Sequence, residues 1–220
     1  MNVTIAEEVL LLALGEEDGR QLIPNMQLDS ALGGAILAEL AVKERLTLTG
    51  KKVTVVDNAP LGDGELDAVL ARIAGDGKER RPEWWVQKLY SGKLRKRLLE
   101  RLAARGTLTE QRAKVLGLFP TTRWPEADGS VEAEVRARVA AALAGNDPDA
   151  ATAVLVAVLH AAKLDRKAFP GADPKRVKEI AEGQWAGDAV AKLISTINSA
   201  IMVAVTSAAV GAATSASTGG

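Results

Sequence analysis

With one histidine and no cysteine, this sequence has few side chains able to make or break a covalent bond. His160 stands between Leu159 and Ala161 on an apolar helical stretch, where a lone imidazole reads as a satisfied interior group and not as a base. Without cysteine there are no disulfides, thiolate nucleophiles or Cys-ligated zinc sites. No G-x-S-x-G elbow, Walker loop or Rossmann glycine pattern occurs. Asp63, Glu65 and Asp67 alternate once, but the glycine and closing Glu of an EF-hand do not follow. The expectation is a non-enzymatic protein with no cofactor and no metal.

The sequence instead concentrates positive charge beside aromatic rings. From Lys78 to Arg105, lysines and arginines are interleaved with Trp84, Trp85 and Tyr90. A second set is Arg123 and Trp124 in "TTRWP", with Arg136 and Arg138 beyond. Indole rings sit well at a membrane interface, and each basic side chain near a surface attracts anionic headgroups by about 1 kcal/mol. The plainer alternative is a solvated helix whose tryptophans seal the core. Arg136 and Arg138 are two apart on a helix and point in different directions, so at most one aims squarely into any pocket.

These residues belong to a chain of 220, of which 47% are hydrophobic, enough for one substantial core or two small ones. Basic and acidic residues balance at 28 each, so a polyanion must be met by a local patch and not by net charge. Abundant Ala, Gly, Arg and Val point to a GC-rich bacterial genome. The opening "MNVTIAEEVLLLALGEED" has no basic n-region, so the expected address is the cytoplasm.

Helices must position most of these side chains. Thr4 and Glu7 form a capping box ahead of Ile5, Val9 and Leu12. Leu32, Ile36, Leu37 and Leu40 recur at helical spacing, and Leu46, Leu48, Val53 and Val55 then alternate across a Thr-Gly-Lys-Lys turn as a hairpin. Further helices are expected over Glu65–Ala74, Trp84–Leu89 and Lys93–Arg105, the last stopped by Gly106. A second hairpin is expected near Leu108–Phe119. Helices follow from Ser130 to Leu143, after Asp147-Pro148, after Asp173-Pro174, and over Val190–Val210. The uncharged stretch from Leu193 to Ala213 has a bilayer-like length, but its Ser, Thr, Asn and Ala content fits a buried helix better than a span. The expected fold class is mainly α: one globular helical domain over 1–213, two small β-hairpins, a buried apolar C-terminal helix, and a flexible tail over 214–220. A helix followed by a basic-tipped hairpin also fits a winged-helix-like nucleic-acid-binding protein. Glu39 is the only charge from Leu32 to Val42, which argues against phosphate contact there, while Lys93–Arg105 is basic enough to keep that alternative open.

Six stretches together carry a resemblance: "TIAEEVLLLALGEEDG", "LGGAILAELAVKERLTL", "LRKRLLERLAARGTLT", "LFPTTRWP", "NDPDAATAVLVAVLHAAKLDRKAF" and "AKLISTINSAIMVAV". In this order, from about Thr4 to Ala208, the chain resembles the Golgi phosphoprotein 3 family and its bacterial members. The resemblance implies a mostly helical single domain with the final helix buried. It further implies a protein peripherally associated with membranes, binding phosphatidylinositol 4-phosphate or another anionic phospholipid at a basic pocket. Protein clients and homo-oligomers are implied as partners, with no nucleic acid. On the same grounds the headgroup residues are expected to be Arg123, Trp124, Arg136 and Arg138, while Pro24 and Gly33 stand where the family's Trp and Arg belong.

Overall fold

The computed structural model describes residues 3–16, 18–115, 119–182, 192 and 194–203. It begins with α1 (Ile5–Leu12), whose residues are all buried, Glu7 and Glu8 included. The capping box forms: Thr4 Oγ1 accepts from Glu7 N, and Glu7 Oε2 accepts from Thr4 N at 2.8 Å. Next comes α2 (Asn25–Val42), apolar or small on nearly every side and buried from Leu28 to Ala41. A helix of that composition belongs at the centre of a bundle. It packs against α1, against α4 (Pro82–Leu89) and against α7 (Ala150–Ala161).

Gly34 lets another element approach α2 closely. A Cβ there would stand 2.3 Å from Ile201 Cδ1. Ile201 lies on the helical segment 194–203, which buries Ile194, Ile197, Ala200 and Ile201. The expected C-terminal helix is therefore present over 194–203 but is buried on one face only, with Ser195, Ser199, Met202 and Val203 exposed; apart from Lys192, the rest of Val190–Val210 and the expected tail over 214–220 lie outside the described residues.

Two antiparallel hairpins supply the β structure. In the first, β1 (Leu46–Thr49) pairs with β2 (Lys52–Val55) around Gly50, whose φ of +66° suits the tight turn. Leu46 and Val53 are buried, so this hairpin serves the core. In the second, β3 (Gln111–Val115) pairs with β4 (Phe119–Arg123), a few residues later than the leucine pattern implied. Leu108 is instead buried and bridges Glu126, just outside the paired strands. Leu116 and Leu118 lie outside the described residues.

The remaining helices are α3 (Gly64–Ala74), α5 (Gly92–Ala104), α6 (Ser130–Leu143), α8 (Asp165–Ala168) and α9 (Pro174–Ala181). Asp63, Ser91 and Asp173 cap α3, α5 and α9 with their side chains. At α7 the cap is Asp149 and not Asp147, because the Asp149 carboxylate accepts from Thr152 N at 2.7 Å. His160 departs from the interior placement expected of it. It sits half-exposed on the last turn of α7, with Nδ1 2.9 Å from Asp165 Oδ2. Among the described residues no helix is long and apolar enough to cross a membrane.

Candidate anion-binding site

α5 carries basic residues on several faces, and most of them meet carboxylates. Arg101 Nε donates to Glu7 Oε1 at 2.7 Å and its Nη1 to Asp63 Oδ2 at 2.8 Å. Arg105 reaches the same Glu7 at 3.2 Å. Arg95 stands 3.1 Å from buried Asp29. Arg97 grips Glu65 with two parallel bonds of 2.5 and 2.9 Å, the fork geometry that guanidinium and carboxylate share. These four arginines tie α5 to α1, α2 and α3.

The start of α5 differs. A cavity of about 360 Å³ opens there between α3, α4 and α5, lined by Arg72, Lys88, Ser91, Lys93 and the Glu65–Arg97 pair over a floor of Val69, Leu89 and Leu94. Arg72, Lys88 and Lys93 are exposed. Among the described residues none of the three meets a carboxylate, and Glu65 is already engaged by Arg97. The first turn of α5 has no acidic residue, so the positive end of the helix dipole adds to the field there. An oxyanion entering this cavity meets three cations and one helix end.

Aromatic rings flank it. Trp85 is 1% exposed and seals the core, and it meets Trp84 edge-on at 4.8 Å. Trp84 is half-buried, with the Arg80 guanidinium 4.5 Å and the Lys88 ammonium 5.7 Å from its ring centre. One tryptophan of the pair is thus a core residue, and the other holds cations at the surface.

The residues expected to hold a headgroup are split by the fold. Arg136 lines a cavity beside the 14–22 turn, where its guanidinium meets Glu132 at 2.7 Å, Glu16 at 2.9 Å and the Ala168 carbonyl at 2.9 Å. Arg138 lines a different cavity and donates to Glu8 at 2.6 Å. The two arginines do point apart, and carboxylates already bind both. The backbone of Trp124 donates to Gly19 O at 3.2 Å, so Trp124 adjoins Gly19, while neither it nor Arg123 lines the cavity that holds Arg136. Gly33 is buried against α4, where a Cβ would stand 3.2 Å from Leu89 Cβ. α2, the helix that precedes the first hairpin, is enclosed by its neighbours and presents no face that could enter a nucleic-acid groove.

Sequence reasoning picked out Lys88 and Lys93 but missed Arg72, which lies outside the basic run and arrives only through the α3–α5 contact. No local signal marks it. Among the described residues no group of three or more histidine or acidic side chains is placed to hold a metal ion. A family model described as Golgi phosphoprotein 3 (GPP34) matches residues 5–197. The chain is also 27% identical over 165 residues to vacuolar protein sorting-associated protein 74 of Eremothecium gossypii. That match takes in 64% of this chain and 49% of the relative, so the chain spans about half the length of that curated relative.

Proposed function

The chain belongs to the Golgi phosphoprotein 3 family, and on that premise we propose that it is a non-enzymatic adapter held on membranes by an anionic lipid headgroup. The observation that carries the reading is the cavity at the start of α5, lined by Arg72, Lys88 and Lys93, none of which meets a carboxylate among the described residues. A phosphorylated headgroup such as that of phosphatidylinositol 4-phosphate offers the charge this cavity lacks. Trp84, held between Arg80 and Lys88, supplies an indole for the interfacial layer. Family membership supports protein-client binding at a general level, and self-association is part of the same proposal.

Arg123, Trp124, Arg136 and Arg138 form a secondary contact in this proposal. Arg136 and Arg138 each have carboxylate partners that a headgroup must displace, and only Arg123 among the three arginines lacks one among the described residues. Liposome co-sedimentation tests the choice. Lys88→Ala with Lys93→Ala removes two charges that no carboxylate engages among the described residues and lowers partitioning onto anionic vesicles by about 2 kcal/mol, roughly thirtyfold. The Arg136→Ala/Arg138→Ala pair lowers it by much less. Binding that survives loss of Lys88 and Lys93 but not of Arg136 and Arg138 transfers the headgroup to the 14–22 turn. Failure of the wild type to sediment with any anionic vesicle overturns the lipid reading.

A further inference from the structure

Two ion pairs tie α3 to α5, one helical turn apart on α5, and they differ in depth. The inner pair is Asp63 with Arg101, both mostly buried, and Arg101 also holds buried Glu7. Asp63 is fixed a second time as the cap of α3, accepting from Glu65 N and Leu66 N. The outer pair is Glu65 with Arg97. It lines the cavity at the start of α5, and 54% of the Arg97 side chain is exposed. Glu65 is the only carboxylate among the described residues that line this cavity. Both its oxygens are taken by the Arg97 fork, so the cavity already holds one anion, supplied by the chain itself. Lys93 stands four residues before Arg97 on the same face of α5, so one oxyanion can reach both.

We propose that Glu65 is a displaceable internal anion: it holds Arg97 against entry, and a phosphate that enters the cavity takes Arg97 from it. The inference rests on the anion reading of this cavity and adds its regulation. An exposed ion pair is worth little in water, so opening this one costs far less than opening a buried pair. The guanidinium fork fits two phosphate oxygens as it fits a carboxylate, and a phosphomonoester brings up to twice the charge. The released Glu65 carboxylate turns to solvent about its own side-chain bonds, from a backbone that the Asp63 cap holds in place. α3 stays on α5 meanwhile, because Asp63 and Arg101 remain joined. Arg97 then joins Lys93, Lys88 and Arg72 as a fourth cation on the ligand.

Two substitutions separate displacement from plain repulsion. Glu65→Gln removes both the grip on Arg97 and the negative charge. Glu65→Asp keeps the charge but is one methylene shorter, so from the same backbone it falls short of the fork. A Glu65 that only repelled anions would leave Glu65→Asp binding as wild type does. Because it competes for Arg97, both variants bind phosphate more tightly, Glu65→Gln by roughly tenfold and Glu65→Asp by about threefold. Both unfold in denaturant close to wild type, since the inner pair is retained.

The experiment titrates isotope-labelled protein with methyl phosphate at about pH 7.5, where a phosphomonoester is mostly dianionic. In parallel it measures co-sedimentation with phosphatidylcholine vesicles that contain phosphatidic acid. Expected are amide shifts on the cavity floor, at Val69, Leu89 and Leu94, together with shifts of the Glu65 carboxyl carbon and the Arg97 Nε–H, whose partners change. A gain by Glu65→Gln on vesicles, with or without methyl phosphate, assigns the phosphate to a lipid headgroup. A gain with methyl phosphate alone assigns it to a free phosphomonoester and ends the lipid reading while displacement stands. The proposal is overturned, with the lipid reading intact, if vesicles bind through Lys88 and Lys93 while the Glu65 carboxyl signal does not move, or if Glu65→Asp binds no more tightly than wild type. If neither ligand binds wild type or Glu65→Gln, both readings fall together.

Discussion

The two ends of α5 carry the same kind of side chain to different purposes. At the C-terminal end, Arg101 and Arg105 converge on Glu7, whose side chain is 0% exposed. A charge that deep must be compensated, and the arginines are spent on it. At the N-terminal end, Lys93 faces Arg72 and Lys88 across an open cavity, with Glu65 already engaged by Arg97. Basic composition is alike at both ends. What separates a structural cation from one available to a ligand is whether the fold has buried a carboxylate beside it.

That contrast is broken or sharpened by substitutions at the two ends. Arg101→Met leaves Glu7 buried with Arg105 alone and lowers stability by about 3 kcal/mol, read by denaturant unfolding, with no loss of vesicle binding per folded molecule. If stability hardly changes, the Glu7 cluster is not the clamp described above.

Buried Glu8 on α1 gives an effect of similar size through pH. Its carboxyl rises from an ordinary 4.5 to about 7, with burial the main cause. The folded state therefore holds this proton more tightly than the unfolded chain does. Its contribution to stability is fully present below about pH 4.5 and declines as pH rises to about 7, by up to about 3 kcal/mol in total. Thermal unfolding followed across that window falls with rising pH in the wild type and is flatter in Glu8→Gln. Parallel curves for the two proteins dismiss this assignment.

Lys88→Ala with Lys93→Ala comes next, with the partitioning loss of about 2 kcal/mol already stated and a change in stability within about 0.5 kcal/mol. Raising salt from 0.1 M to 1 M shortens the screening length from about 10 Å to about 3 Å and weakens wild-type sedimentation far more than that of the variant. Lys96→Ala gives the smallest effect. Its ion pair with Glu100 spans exposed side chains at 3.5 Å, so removal costs no more than about 0.5 kcal/mol, measured by the same unfolding assay.

Much of this was legible in the sequence because it depends on neighbours along the chain. The Thr4–Glu7 capping box, the stop at Gly106, the Asp173-Pro174 start and the first hairpin are local patterns, and each forms as read. The helical faces of α3 and α5 were set by apolar spacing alone, and Leu66, Val69, Leu70 and Ile73 are buried as that spacing requires. Glu7 and Glu8 inside "AEEVLLLAL" were an unread signal, since carboxylates within an apolar run imply buried partners.

Only tertiary structure could say who those partners are. Glu7 meets Arg101 across a separation of 94 residues, and Glu8 meets Arg138 across 130. Local spacing already separates Arg136 from Arg138 and sets Glu132 one turn from Arg136, but no local pattern shows that Glu16 and Glu8 would also engage them, or that Arg72 would join Lys88 and Lys93. The sequence by itself determined the helices, the caps at Thr4 and Asp173 and the sign of each side chain, because backbone propensity and apolar periodicity act over a few residues. The fold decided which charges stay uncompensated, because Coulomb energy depends on distance and burial, and contacts distant in the chain set both.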